Sequence, residues 1–423
     1  MRTAITRGLA VLGATALVGL AGCAGTAGQS SEDAGGGDGV EYGATAEEYQ
    51  EALADMDPVT LTYQPGAQSG QGHTGQAEQT FMDRVEEMSG GKITLEPAWG
   101  QSIAAFDEVT EATADGRIDI GVEIPIYTPS KYAAINELIN LAPSTPASPY
   151  ATEIATTAAM MEVAWNTPEI VENYESMGVA FLRPVMFETS NALMCTEPVT
   201  SLDDFAGKQI RVGSASDLAI VESLDASPVS MQFTEAYEAL QRNTIDCTLG
   251  GLRIGSEYGF LEVAPHVTFP EDAAWGRSPT AVVAGPGYTN LPLAAQQLIF
   301  DAYAESNARS LEASVAFVAD AVTGLQENGG DIERLEGDAN EALHSAIDGL
   351  REKTLSSDAL DGEDAANRLD EAYGKWIGIA EEEGHVDDGD YIGFADGYSS
   401  DPVDLSSYGQ RMFEEIYLPH RPS

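Results

Sequence analysis

A two-lobed α/β fold is expected from three features: strand–helix alternation from residue 59, a second alternating unit after residue 179, and a length of 423 residues. Single hydrophobic cores stop growing at roughly 250–300 residues, so this length calls for more than one. The order strand, helix, strand, helix, strand implies parallel pairing with helices on both faces. Each lobe is therefore expected to be a mainly parallel sheet flanked by helices, with a long C-terminal helix bridging the two.

Before the first strand the chain carries other signals. Residues 1–22 combine Arg2 and Arg7 with an apolar run from Gly8 to Leu20, and so read as a secretory signal too short to span a bilayer. The ending Leu20-Ala21-Gly22-Cys23 has the form of a bacterial lipobox, which makes Cys23 the expected lipidation site and lipid the expected anchor. Residues 23–57 read as a flexible acidic tether, because the Gly-, Ser- and acid-rich stretch 24–44 cannot bury a core. That stretch would span about 25 Å as a random coil. Within the tether, Thr45 and Glu48 have the spacing of a capping box for a short helix.

The first lobe is expected over residues 58–180 plus about 266–290. VTLTYQP (59–65) predicts a strand, and residues 73–88 a helix stopped by Gly90-Gly91. ITLEPA (93–98) predicts the next strand, 102–115 a helix, and IDIGVE (118–123) a third strand. The second lobe is expected over 181–265 plus about 291–360. Its strands are VAFLRPVMF, NALMC, QIRVG, PVSM and IDCTLG, with helices at 214–226 and 234–243. EATADGRIDIGV (111–122) and EALQRNTIDCTL (238–249) match at a constant offset of 127, which predicts related helix-to-strand corners. Residues 291–328 predict a helix that would reach roughly 50 Å, and 361–423 an acidic C-terminal extension.

The chain has 20 Lys and Arg against 69 Asp and Glu, a net charge of −49, which becomes −51 once the two signal arginines are removed. Such a surface lacks the basic groups needed to displace counterions from nucleic acid or anionic membranes, so neither is an expected partner. Cys195 and Cys247 lie in strand-like runs of one predicted lobe. In an oxidising compartment they predict a disulfide, with two buried thiols as the alternative. The five His are scattered, and no CxxC, HExxH, GxSxG or phosphate-loop motif occurs, so neither a metal site, a cofactor nor an enzyme is expected. The acidic run 385–393 lacks the spacing of a calcium loop.

The segment DDFAGKQIRVG…SPVSMQFTEAYEALQRNTIDCTLGGL (203–252) resembles the solute-binding component of the tripartite ATP-independent periplasmic (TRAP) transporters. Those proteins carry a "GlKiRv" strand followed by "p.pf.EvY.ALq.G.vDG", and the similarity extends over roughly residues 59–350. The resemblance implies a periplasmic-binding-protein-like fold, a small organic acid held between the lobes, and a membrane permease as partner. It also implies that Arg211, in the "iRv" strand, pairs with the ligand carboxylate. A guanidinium suits that role because its planar fork binds a carboxylate bidentately and stays charged when water is excluded. Read without the resemblance, an Arg at a strand end fits a structural ion pair instead.

Two departures bear on the ligand. The family's second basic residue aligns near Glu197, and Gly250 stands where many members have an Asn, which points away from a dicarboxylate or sialic-acid pocket. A monocarboxylate, or an acid with a neutral or cationic far end, fits better. Trp275, in a loop between strands, suits either a ring stacked on the ligand or a core residue. Gln64, Glu123 and Tyr127 sit at or just past the carboxyl ends of the first and third strands, where ligands collect in open α/β sheets. The rival readings are a binding lipoprotein serving an ABC transporter or a sensor kinase, and a secreted hydrolase.

Overall fold

The computed structural model describes residues 39–387 and 389–423. The expected signal sequence, Cys23 and the tether up to residue 38 lie outside the described residues.

Val59–Gln64 (β1) alternates as a half-buried strand should, with Leu61 and Tyr63 turned into the core. It pairs in parallel with β2 (Ile93–Pro97) and with β3 (Ile120–Glu123). Two further strands, β4 (Ala180–Phe187) and β10 (Pro279–Ala284), complete a five-stranded sheet of order β2-β1-β3-β10-β4. The second sheet combines β5 (Asn191–Cys195), β6 (Gln209–Val212), β7 (Ser227–Ser230), β8 (Cys247–Gly251), β9 (His266–Phe269) and β11 (Asp331–Arg334). Its order is β11-β9-β5-β8-β6-β7.

Both sheets are mixed: among the described residues five strand pairings are parallel, as expected of most, and four are antiparallel. β10 runs antiparallel to β3 and β4, and β5 antiparallel to β8 and β9. These are strands whose chain has just crossed from the other sheet, so no βαβ connection sets their direction. The lobe boundaries shift for the same reason. β4 belongs to the first sheet and β9 to the second, the reverse of the expected division at 181 and 266. The helix expected over 102–115 is confined to Val109–Ala114, because the amides of Ile103 and Ala104 are held by the Gln64 side chain.

The corners related by the 127-residue offset have matching geometry. Gly116 and Asn243 both adopt positive φ, +79° and +54°, ending their helices in the left-handed region. Asp119 then accepts from the Thr62 amide at 2.7 Å, and Asp246 accepts from the Gln209 amide, also at 2.7 Å. Each aspartate thus fastens the start of one strand to its parallel neighbour.

Cys195 and Cys247 face each other across β5 and β8 and are bonded. Closing a loop of 52 residues removes chain entropy worth about 4 kcal/mol from the unfolded state. Around the bridge, Val212, Ile220, Leu249, Trp275 and Leu343 form the core of the second lobe.

Helix Leu293–Glu327 begins against helix Gly72–Met88 of the first lobe and leads into β11 of the second. It is one of three connections between the sheets, with residues 188–190 and 270–278. In the middle crossing, Arg277 is fully buried and grips Glu153 of helix Ala151–Trp165 through Nε (3.2 Å) and Nη2 (3.0 Å). Its Nη1 donates to Thr145 Oγ1 at 2.7 Å.

The expected flexible tether extends less far than residue 57. Thr45 and Glu48 form the capping box of helix Ala46–Ala52, whose Tyr49 is buried, as is Leu53. Arg421 donates to the Val40 carbonyl, to Tyr49 Oη and to both oxygens of Asp301, gathering both ends of the described chain onto the first lobe. The acidic C-terminal extension is packed onto the rest of the chain. Helix Gly362–Glu382 lies along Ala151–Trp165, and its buried Trp376 donates to Glu162. In the acidic run, Asp387 accepts from Ser148 Oγ and the amides of Tyr150 and Ala151, and Asp390 caps helix Tyr391–Tyr398.

Candidate functional site

The carboxyl ends of β1 and β3 and the crossing after β4 meet helix Leu252–Glu257 of the second lobe across a cleft. The cleft encloses about 90 Å³. Since roughly 10–15 Å³ holds one water, that is room for one compact organic molecule. Phe106, Val122 and Ile124 wall it from the first lobe, Phe233 and Ile254 from the second, and Ser310 and Ser314 of the bridging helix line its floor.

Contacts between the lobes close its rim. Tyr127 Oη lies 3.4 Å from Arg211 Nη2 and accepts from the Phe233 amide at 3.4 Å. Gln232 donates to Asp107 at 3.3 Å, Gln68 bonds Tyr258, and the rings of Phe106 and Phe233 pack 5.6 Å apart.

Five acidic and basic side chains line the cavity: Glu78, Arg183, Glu188, Arg253 and Glu257. Arg253 is saturated, bonding Glu188 through Nε (2.8 Å) and Nη2, and Glu257 through Nη1 (2.7 Å). These acids hold its charge, while burial pushes the Glu257 carboxyl up. Glu78 accepts from Tyr63 Oη, and burial pushes its carboxyl up against the pull of that bond and of nearby Arg183.

Arg183 differs from Arg253. It is 6% exposed, and among the described residues no carboxylate lies within 4 Å. Nη2 donates to Thr280 Oγ1 at 2.8 Å; among the described residues Nη1 meets only the Met186 sulfur, at 3.1 Å, and Nε has no partner. The guanidinium packs over the Tyr303 ring, 5.7 Å from its centroid. Irregular β4–β10 pairing between Thr280 and Val283 brackets the position opposite Arg183, the kind of break that re-aims a side chain. A buried cation costs several kcal/mol unless paired, so a site that leaves one without a direct ion pair is adapted to an anion supplied from outside.

The residues singled out from sequence are dispersed. Arg211 is buried beside the cleft but not in the cavity wall, and its Nε and Nη1 donate to the carbonyls of Met231 and Leu249, both at 2.9 Å. Behind it, burial pushes the Asp217 carboxyl up to about 6. Tyr127 meets Arg211, so those two expected residues do come together.

The other three stand apart, which corrects their expected place against the ligand. Gln64 is consumed in clamping residues 103–104, donating to the Ala104 carbonyl as well. Glu123 is buried with Thr110 and Tyr174 donating to it. Trp275 is 0% exposed, its indole donating to the Thr268 carbonyl in the core of the second lobe.

Residues 67–358 match the family described as bacterial extracellular solute-binding protein, family 7. The chain belongs to that family. As a family-7 member it is an extracellular solute-binding protein and not an enzyme. A marine metagenome TRAP solute-binding protein from an unidentified microbe, specific for aromatic acids and bound to 3-hydroxybenzoate, is similar in fold. Its TM-score is 0.66 at 19% identity, over 75% of this chain and 99% of that one. A Bordetella pertussis extracytoplasmic solute receptor binding pyroglutamic acid superposes with TM-score 0.63 at 18% identity, over 75% and 99%. The sugar acid binding protein of Advenella mimigardefordensis, with galactonate, gives 0.62 at 19%, over 76% and 99%. A solute-binding protein of Sulfitobacter sp. (strain NAS-14.1) is 28% identical over 121 residues, spanning 28% of this chain and 36% of that relative's length.

In this family-7 solute-binding protein, Arg183 and Glu78 are cavity residues that no sequence motif marks. The signal for Arg183 was present: it is the only charged residue in the apolar strand run 179–187. Glu78 sits in a helix among other acids and carries no comparable mark.

Proposed function

We propose that this protein is the receptor of a TRAP transporter that captures a small organic acid between its lobes and delivers it to a membrane permease. The observation that carries the reading is Arg183: a buried guanidinium lining a largely apolar cavity, with no carboxylate within 4 Å among the described residues and Glu78 as the acid that faces it across the cavity. Its free donors are assigned to the ligand carboxylate, and the apolar rings to shape selection. Arg211 and Tyr127, which touch only when the lobes are together, are assigned to latching the closed form. The acids named for the three solved relatives above support the ligand class.

Calorimetry of the unrefolded protein against compact carboxylic acids tests the proposal, with matching alcohols as controls. Saturable binding of at least one acid, and none of its alcohol, is expected. Binding of alcohols and acids alike would defeat it. A permease partner is favoured over an ABC transporter or sensor kinase by family membership, and adjacent genes for two membrane subunits without an ATPase would bear this out.

The proposal includes attachment through lipid at Cys23, on the strength of the lipobox and signal run. Among the described residues no helix is long and apolar enough to cross a membrane. Cys23→Ser is expected to move the protein from the membrane fraction to the soluble one; retention on the membrane would count against the anchor.

A further inference from the structure

The cavity wall holds two arginines and three glutamates, a formal net charge of −1 when every one of them is ionised. Arg253 is committed to Glu188 and Glu257, so that triad is itself anionic. The remaining pair, Arg183 and Glu78, have no ionic partner within 4 Å among the described residues. Arg183 is held by Thr280 and Met186, and Glu78 by one hydroxyl, that of Tyr63. An ionised carboxylate offers about four acceptor positions, so Glu78 keeps most of its capacity.

A plain monoanion seated on Arg183 would raise the enclosed charge to −2, in surroundings where like charges repel far more strongly than in water. A ligand carrying its own cation leaves the charge at −1 and gives Glu78 a donor.

We infer that the ligand is zwitterionic: a compact carboxylate that also bears an ammonium or similar cationic nitrogen, with its carboxylate on Arg183 and its nitrogen on Glu78. This rests on the reading of the cleft as an organic-acid site and narrows the class of acid. Burial raises the Glu78 proton affinity, so an incoming cation also relieves the cost of keeping that carboxyl ionised. The acid-binding solved relatives fit the carboxylate half of this arrangement, and Glu78 would set this receptor apart by the second half.

Matched acids of one shape test it by calorimetry at pH 7.5: proline, pyroglutamate and cyclopentanecarboxylate, followed by open-chain pairs with and without a terminal ammonium. The zwitterion of the best-fitting pair is expected to bind at least 30-fold more tightly than its uncharged-nitrogen or nitrogen-free analogue. Glu78→Gln, which preserves an acceptor for Tyr63, is expected to reduce that ratio below threefold while the analogue's affinity stays the same or rises.

Equal or tighter binding of the plain acids would overturn the inference and leave the organic-acid reading standing. A wild-type preference that survives Glu78→Gln would overturn the role of Glu78. If no carboxylate of either series binds, the organic-acid reading falls and this inference with it.

Discussion

Arg183→Met is expected to weaken carboxylate binding by about 2–4 kcal/mol, roughly 30- to 1,000-fold in Kd, the range for losing one partner of a desolvated, hydrogen-bonded charge pair. The substitution removes the charge and keeps an unbranched apolar chain over Tyr303. Because Arg183 makes no direct ion pair and Glu78, which it only faces, can take up a proton when the charge is removed, the ligand-free variant is expected to melt close to the wild-type temperature. Groups kept for binding and not for stability behave in this way.

Arg211→Met should show the opposite signature. It uncaps two buried carbonyls, Met231 and Leu249, so the unliganded protein loses stability, and binding falls less because only the Tyr127 latch is lost. Calorimetry and thermal melts on the two variants separate the roles. A larger binding loss in Arg211→Met, with Arg183→Met neutral, would return the ligand carboxylate to Arg211 and reject the assignment to Arg183.

The second large effect is on stability. Arg277→Met is expected to cost about 3–5 kcal/mol, because it leaves the Glu153 carboxylate buried without its counter-charge. Adding Glu153→Leu should restore part of that loss, since replacing a buried pair by apolar groups is often close to neutral. Recovery will be incomplete, because Arg277 also serves Thr145 and the Ala142 and Pro146 carbonyls. Urea midpoints of the three proteins measure this. A single variant indistinguishable from wild type would show that the pair contributes nothing to the fold.

How far each feature could be read in advance depended on how local its cause was. The strand–helix order, the left-handed stops at Gly116 and Asn243, and the Thr45–Glu48 cap depend on a few neighbouring residues, and these appear where the residue types required them. The mixed pairing does not have a local cause. β4 and β10 are β-rich runs whether they join one sheet or the other, and only the crossings at 188–190 and 270–278 decide.

The site shows the same limit. Gln64 was placed at a strand end, as observed, but its amide is spent on its own lobe. Trp275 was in a loop, yet that loop folds under the second sheet. Glu78 became relevant only because the bridging helix and helix Leu252–Glu257 enclose the space in front of it, a juxtaposition spanning almost 240 residues.

The Arg421 junction has a practical side. Val40, near one end of the described chain, and Arg421, near the other, touch at 2.7 Å on the first lobe. A fluorescent protein fused to either end would ride on the same rigid half and report nothing of lobe movement. A reporter of ligand capture built from this receptor needs one fluorophore inserted in the second lobe. The turn at Gly207, at the opposite end of the parallel strands β6 and β8 from the cleft-lining helix Leu252–Glu257, offers an exposed place for it.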